Sequence, residues 1–377
     1  MKRSVGIITF HASHNYGSML QAYALQQTLL KMGFDCEIIN FRTQRQKDFY
    51  KPIFWRGSFL GKIKRTLFYL PFCLPLIKKY QLFEKFLREE LILSDKEYTL
   101  LTEIDWVDFK YDYYISGSDQ IWNHCCFDFD WAYFLPFVKD GKGKRIAYAP
   151  SMGPRPEMAG FQHHISLIKF LLNKYDAVSV REKSSALWLN HNVGKNYPVM
   201  LDPTLLLTFE EWNNKVIHKS LIKGKYIFFY TPRCESYTFE YADLLSKKLN
   251  IPIVVSLFYP GWKNNKWAIK SNVRLHLNTG PNEFLNLCKN ATFIIGQSFH
   301  LVVFSIIFQK PFYIIKGMQD ERVVEILSLT GLEDRSINTL DSLNNVSFHV
   351  DFEKAKFHIE NTRKICLEWL KSQFSSQ

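Results

Sequence analysis

One histidine stands at the head of an apolar run, in IIGQSFHLVVFSIIFQKP (294–311), directly after what reads as a buried strand. Where a strand hands over to a helix, unpaired backbone N–H groups and the positive end of the helix dipole are presented together. Ser298, Phe299 and His300 therefore stand where an anion would be received. Ser298 is placed to cap the helix, and His300 falls in its first turn, where a side chain able to move a proton would meet such an anion. The alternative is a histidine that merely caps or packs at a helix start. His11 and His14 have i, i+3 spacing but lie in a loop with no third ligand nearby in sequence, so ligand contact or plain solvation is expected there rather than a metal. The seven cysteines are scattered, odd in number and without a CxxC pair. That pattern points away from a disulfide framework and a zinc finger, and toward a reducing, cytoplasmic compartment.

The elements that must position these residues alternate between strand and helix. VGIITF (5–10) is a short apolar run, followed by a polar loop, a helix-like stretch over 19–32 ending at Gly33, and CEIINF (36–41). This is a βαβ opening. Strands are expected next at 111–117, 145–151, 175–182 and 197–204. The second half repeats the order, with strands at 225–231, 251–258, 292–296 and 311–316 and helices at 239–249, 281–289 and 299–308. Two α/β domains follow, residues 1–213 and 214–350, with a closing helix in 351–377. A chain of 377 residues that is 47% hydrophobic can fill two such cores. In open parallel sheets, ligands gather where strands end and helices begin. The loops to inspect are HASHNYGS (11–18), SGSDQIWN (116–123), APSMG (149–153), SVREKSS (179–185), LDPT (201–204) and GQSFH (296–300).

The net charge of +12 is concentrated in one place. Residues 42–88 hold twelve Lys/Arg against Asp48 and Glu84, a net of +10, interleaved with eleven aromatic residues. That pattern fits an acidic bilayer surface, fits single-stranded nucleic acid, and fits a helical excursion that packs its aromatics and solvates its lysines. The N-terminal apolar run is too short and too broken by Thr9 and His11 to read as a signal peptide. The most apolar stretch, TLFYLPFCLPLI (66–77), is interrupted by two prolines and falls short of the roughly 20 residues of a membrane span.

The edge segments carry a resemblance. HNYGSMLQAYALQ (14–26), ISGSDQIWN (115–123), IAYAPSMG (146–153), SVREKSS (179–185), DPTLLL (202–207), TGPNEFLNLCKNATFIIGQSFH (279–300) and GLEDR (331–335) resemble, in order and spacing, the polysaccharide pyruvyl transferase family over nearly the whole chain. Two positions depart from its pattern: Leu301 follows the histidine where a Gly is common, and Gln297 precedes the serine where Asp or Asn is usual. The first would narrow a pocket beside His300, and the second changes the side chain available there.

The resemblance implies two Rossmann-like domains in a GT-B-like arrangement with a C-terminal helix. It implies transfer of the enolpyruvyl group of phosphoenolpyruvate to two hydroxyls of a sugar in a polysaccharide or its lipid-linked precursor, giving a ketal and phosphate. The acceptor would lie on the N-terminal half and the donor mainly on the C-terminal half. His300 is then the candidate acid and Asp119 the candidate base. Arg181 and Arg322 would clamp the donor's anionic groups beside Ser298 and Phe299. His14, Asn15, Tyr16, Gly17, Ser118 and Trp122 would meet the acceptor. Phosphoenolpyruvate would be a co-substrate, and no cofactor, metal or nucleic acid is expected; an acidic membrane surface is the partner that 42–88 would suit, at the inner face of the cell membrane.

Each assignment has a plainer alternative. Arg181 could simply pair with Glu182, Arg322 has Asp320 and Glu321 beside it, Asp119 could cap a short helix at 120–123, and HNYG reads most simply as a tight turn around Gly17. Two other classes stay open: a glycosyltransferase using a nucleotide sugar on the same fold, and a non-catalytic nucleic-acid or membrane binder.

Overall fold

The computed structural model describes residues 3–56, 58–105, 110–158, 160–232, 235–257 and 267–374. Cys234 and the last residue of the strand expected at 251–258 lie outside these. In chain order the strands are β1 (Ser4–Ile8), β2 (Asp35–Ile38), β3 (Tyr113–Ser116), β4 (Lys144–Ala147), β5 (Ala177–Val178), β6 (Ile227–Tyr230), β7 (Ile253–Val255), β8 (Val273–Leu275), β9 (Phe293–Gly296), β10 (Phe312–Ile315) and β11 (Ser336–Ile337). The α-helices are α1 (Tyr16–Lys31), α2 (Gln44–Tyr50), α3 (Phe59–Phe68), α4 (Cys73–Glu90), α5 (Ile165–Leu172), α6 (Lys183–Val193), α7 (Phe209–Lys215), α8 (Ser236–Leu249), α9 (Pro281–Asn290), α10 (Phe299–Ile307), α11 (Glu321–Thr330) and α12 (Phe352–Phe374).

By contacts the chain divides into two compact units. Unit 1 holds Met1–Tyr50, Lys85–Leu207 and Glu360–Gln377; unit 2 holds Lys51–Glu84 and Thr208–Ile359. The basic aromatic stretch is thereby split, its middle belonging to unit 2, and α4 and α12 each carry a boundary.

Unit 1 is built on a five-stranded parallel sheet in the order β2-β1-β3-β4-β5. Its central strand β3 is buried along its length, as a strand covered on both faces must be. Helix α1 starts at Tyr16, earlier than the apolar pattern alone suggests, because the Asn15 side chain accepts from the N–H groups of Gly17 at 2.9 Å and Ser18 at 3.4 Å. HNYG is therefore a helix start rather than a tight turn, with Gly17 inside the first helical turn. Residues 197–204 form no strand: Val199 makes an isolated bridge to Val180, and Pro203–Leu205 is a 3-10 turn. Pro203 has no N–H for a ladder, and Asp202 Oδ1 caps the turn by accepting from Thr204 N at 3.0 Å.

Unit 2 carries a six-stranded parallel sheet in the order β11-β10-β9-β6-β7-β8. Its strands β6, β7, β9 and β10 are buried throughout and form one core with Phe239, Leu245 and Leu343. Gly296 ends β9 because the backbone there passes against β6: a Cβ would stand 1.8 Å from the Tyr230 carbonyl oxygen.

Candidate functional site

Each sheet reverses its strand order once, and the loops that leave the two strands at the reversal form the crevice in which open parallel sheets hold ligands. In unit 1 the reversal lies between β1 and β3. The loop after β1 brings Ser13 and the first turn of α1 brings Ser18, while the loop after β3 brings Ser118 and Asp119.

Asp119 has φ of 67°, a conformation that costs an L-residue about 1–3 kcal/mol. Its backbone is held there by a bond from Ser151 N to its carbonyl at 2.8 Å. It occupies the cap position of the 3-10 turn Gln120–Trp122 but makes no side-chain capping bond. The carboxylate turns instead to the Ser18 hydroxyl, which donates at 2.5 Å, and to Arg181 Nη1 at 3.8 Å.

Arg181 is buried among carboxylates. Its Nε donates to Glu182 and its Nη1 to Asp202, each at 2.7 Å. The ion pair left open as the alternative is thus present, inside a cluster of one guanidinium and three carboxylates. Burial works against the guanidinium's charge, but Glu182, Asp202 and Asp119 outweigh it and hold its pKa above the ordinary value. The carboxylates are themselves satisfied: Ser185 donates to Glu182 at 3.0 Å and Thr204 Oγ1 to Asp202 at 2.7 Å. Such an arrangement fixes the direction of Asp119.

A second acidic group, absent from the sequence-derived candidates, lies in the same unit. Asp128 Oδ2 accepts from Ser13 at 2.6 Å and from the Tyr50 hydroxyl at 2.5 Å. Burial pushes its carboxyl up, the two hydroxyl bonds oppose that, and the like charge of Asp119 adds to the rise. Burial and the neighbouring Asp128 likewise push the Tyr50 phenol well above its ordinary value. The His14 ring stacks on Tyr50 with centroids 5.2 Å apart. A buried carboxyl of raised basicity that accepts from two hydroxyls is chemically equipped to take a proton from a hydroxyl.

The other expected acceptor residues are placed differently. Asn15 is half-buried and spends its side chain as the cap of α1; Tyr16 and Gly17 are buried in the first turn. Ser118 is fully buried, donating its N–H to Gln21 at 3.1 Å and its hydroxyl to the Ala149 carbonyl. Trp122 is a core residue, stacked on Phe134 with centroids 5.0 Å apart.

In unit 2 the reversal lies between β6 and β9. Thr231, just past β6, donates to Gln297, just past β9, at 3.3 Å, and Gln297 Nε2 donates to the Tyr237 hydroxyl at 3.3 Å. Tyr237 in turn donates to Glu235 at 2.6 Å, and Lys316 Nζ stands 4.2 Å above the Tyr237 ring. Gln297, one of the two departures from the family pattern, therefore ties the β9 edge of the crevice to the segment that follows β6. Ser298 takes the cap position of α10 with extended backbone, yet its side chain makes no capping bond. Phe299 meets the His300 ring edge to face at 5.0 Å, and His300 is buried in the first turn. Arg322, at the start of α11, grips Asp320 in a fork of 2.8 and 2.6 Å, and Asp320 also accepts from Arg322 N at 3.1 Å.

The structure thus gathers Ser298, Phe299 and His300 at one helix start in unit 2, and Asp119 and Arg181 into one cluster in unit 1. Thr231, Tyr237, Lys316 and Asp128 were not singled out from the sequence. Thr231 and Lys316 could have been, since each ends an expected strand; Asp128 sits in FDFD, where no local pattern marks it.

The family model described as polysaccharide pyruvyl transferase matches residues 15–316. No curated protein matches the chain's sequence. Among solved structures, UDP-GlcNAc 2-epimerase from Neisseria meningitidis bound to UDP-GlcNAc gives a TM-score of 0.52 at 13% identity, covering 99% of this chain and 100% of that one. The UDP-GlcNAc 2-epimerase from Methanocaldococcus jannaschii gives 0.50 at 14% identity, covering 96% and 92%. The S. aureus MnaA–UDP structure gives 0.52 at 13%, covering 97% and 87%. At such identities these likenesses show the fold alone, two parallel α/β sheets of the GT-B class. The family match goes further, since it takes in Asp119, Arg181 and His300 together: the chain belongs to the polysaccharide pyruvyl transferase family.

Proposed function

We propose that this chain transfers the enolpyruvyl group of phosphoenolpyruvate to two hydroxyls of one sugar, in a polysaccharide or its lipid-linked precursor at the cytoplasmic face of the membrane. The observation that carries this reading is the family match spanning the Asp119 cluster and the His300 helix start. His300 supplies the proton that turns the donor's methylene into a methyl group. The carbon left electron-poor is attacked by one hydroxyl, phosphate departs with the cleaved C–O bond, and the second hydroxyl closes the ketal. Of the two hydroxyl protons, one replaces that given by His300 and the other leaves with phosphate, so the sum is balanced. Asp119 takes up one of these hydroxyl protons in passing and hands it on, ending the cycle as a carboxylate.

Arg322 and the α10 start, with Ser298 and Phe299, hold the donor's anionic groups. Arg181 acts through Asp119 by holding its carboxylate; a direct grip on the donor is the role against which this is to be measured. His14, half-exposed in the first loop, meets the sugar, beside Asn15, whose side chain caps α1. The scheme draws on no metal and no cofactor beyond the co-substrate.

The test is incubation with phosphoenolpyruvate and a panel of sugar acceptors, reading phosphate release together with the new ketal methyl signal by proton NMR. Release of both in equal amounts supports the reading. Turnover of a nucleotide sugar with phosphoenolpyruvate untouched replaces it with glycosyl transfer.

A further inference from the structure

Helix α3 is turned inside out. At 3.6 residues per turn, Phe59, Leu60, Ile63 and Leu67 share about 100° of its circumference. In an ordinary surface helix that stripe faces the core. Here it faces outward: Phe59 is 76% exposed, Leu60 74%, Ile63 44% and Leu67 68%. On the side opposite the stripe, Gly61 and Arg65 are half-buried. Arg65 donates to the Arg56 carbonyl.

The segment has a small core of its own, in which Phe54, Tyr69 and Cys73 are buried, so outward exposure of the stripe is not for want of an interior. Past α3 in the chain, Leu70 and Leu74 are also open to solvent, at 62% and 78% exposure. Six large apolar side chains thus lie open within residues 59–74, whereas the other exposed ones are scattered along the chain. Two lysines flank the stripe, Lys62 on one side and Lys64 on the other, both exposed, and Lys78 is exposed on α4. Lys79 is turned to the Ser256 carbonyl at 3.0 Å, so the cationic surface is narrower than the sequence count suggests.

We infer that the outward face of α3, with Leu70 and Leu74, is a docking surface for an anionic lipid leaflet. An apolar stripe bordered by lysines is the form of a helix lying in the plane of a bilayer interface, its apolar side chains entering the acyl boundary and its lysines reaching up to acidic headgroups. Charge selects this occupant over a second copy of the chain, because pairing two such faces would set Lys62 and Lys64 against like charge. Docking does not require a span, and among the described residues no helix is long and apolar enough to cross a membrane. The inference deepens the proposed function, resting on it for the reason to dock: a lipid-linked acceptor is presented at that surface. The binding itself is independent of the chemistry.

The full chain is sedimented with vesicles of phosphatidylcholine alone and of phosphatidylcholine mixed with phosphatidylglycerol. Binding to the mixed vesicles is expected to be at least about tenfold tighter and to weaken with added salt. Leu60→Asp with Leu67→Asp, and separately Lys62→Glu with Lys64→Glu, should each weaken it by about tenfold or more, with circular dichroism and transfer to a short soluble acceptor unchanged. No binding to either vesicle, equal binding to both, or binding indifferent to both double variants overturns the inference. So does a concentration-dependent dimer that Leu60→Asp with Leu67→Asp abolishes. Vesicle binding in a chain that leaves phosphoenolpyruvate untouched removes the proposed function and leaves the docking surface standing.

Discussion

The two sheet reversals serve the same topological purpose with opposite chemistry. At the reversal of unit 1 the charges are internal and paired: Arg181 is enclosed by Glu182, Asp202 and Asp119, and the carboxylates take further bonds from Ser18, Ser185 and Thr204. At the reversal of unit 2 the contacts are mostly neutral, running through Thr231, Gln297 and Tyr237, and a helix start is presented beside them. A locked charge network is suited to holding one carboxylate in a strained, defined direction. A helix start with sparse charge is suited to receiving anions that arrive and depart. Under the proposed function, this difference suits positioning at one reversal and donor handling at the other.

Substitutions can break this contrast. The largest expected effect is at the helix start: His300→Ala should reduce turnover by roughly two to four decades while the thermal midpoint stays near that of the parent. A turnover within a few-fold of the parent would remove His300 from the chemistry.

Next is Arg181→Met, which strands three carboxylates in the interior and should cost about 3–5 kcal/mol in urea unfolding. Arg181→Lys keeps the charge but cannot reach Glu182 and Asp202 together, so stability should fall while the donor KM is preserved. A raised donor KM at unchanged stability would instead make Arg181 a direct donor clamp.

Smaller again is Arg322→Ala. Loss of a charged hydrogen-bonding partner of the donor, about 1.5–3 kcal/mol, should raise the donor KM roughly ten- to hundredfold. Stability should drop by no more than about 1 kcal/mol, because Asp320, which it grips, is a sequence neighbour near the surface.

The smallest effect is a pH slope in unit 1. His11 is fully buried, and burial lowers its pKa from 6.5 against the opposing bonds to the Thr9 carbonyl and Asn40. The unfolded chain therefore takes up a proton near pH 6.5 that the folded chain refuses. The contribution of neutral His11 is fully present above that pH and is lost as pH falls below it, by at most about 1.4 kcal/mol per pH unit. His11→Gln should flatten this part of the urea-midpoint profile; an unaltered slope would place its origin in another group.

Much of the scaffold was legible because its signals are local. VGIITF, TFIIG and PFYIIK each announce a buried parallel strand by continuous apolar character, and α9, α10 and α12 appear within a residue or two of where their periodicity and caps set them. Residues 197–204 misled for a related reason: an apolar run resembles a strand until Pro203 and the capping Asp202 act on the backbone. His300 was legible because strand, capping position and histidine are consecutive in sequence.

What the sequence determined by itself, then, was the order of elements, the family and the helix start that carries His300, since each depends on residues within a few positions of one another. Tertiary structure alone decided the company that charges keep. Arg181 meets Asp119 and Asp202, and Asp128 meets Ser13 and Tyr50, only after separate strands and loops converge. It also decided the orientation of α3. Periodicity makes an apolar stripe visible in the sequence, but whether that stripe faces a core or the solvent depends on which side the remainder of the chain packs against.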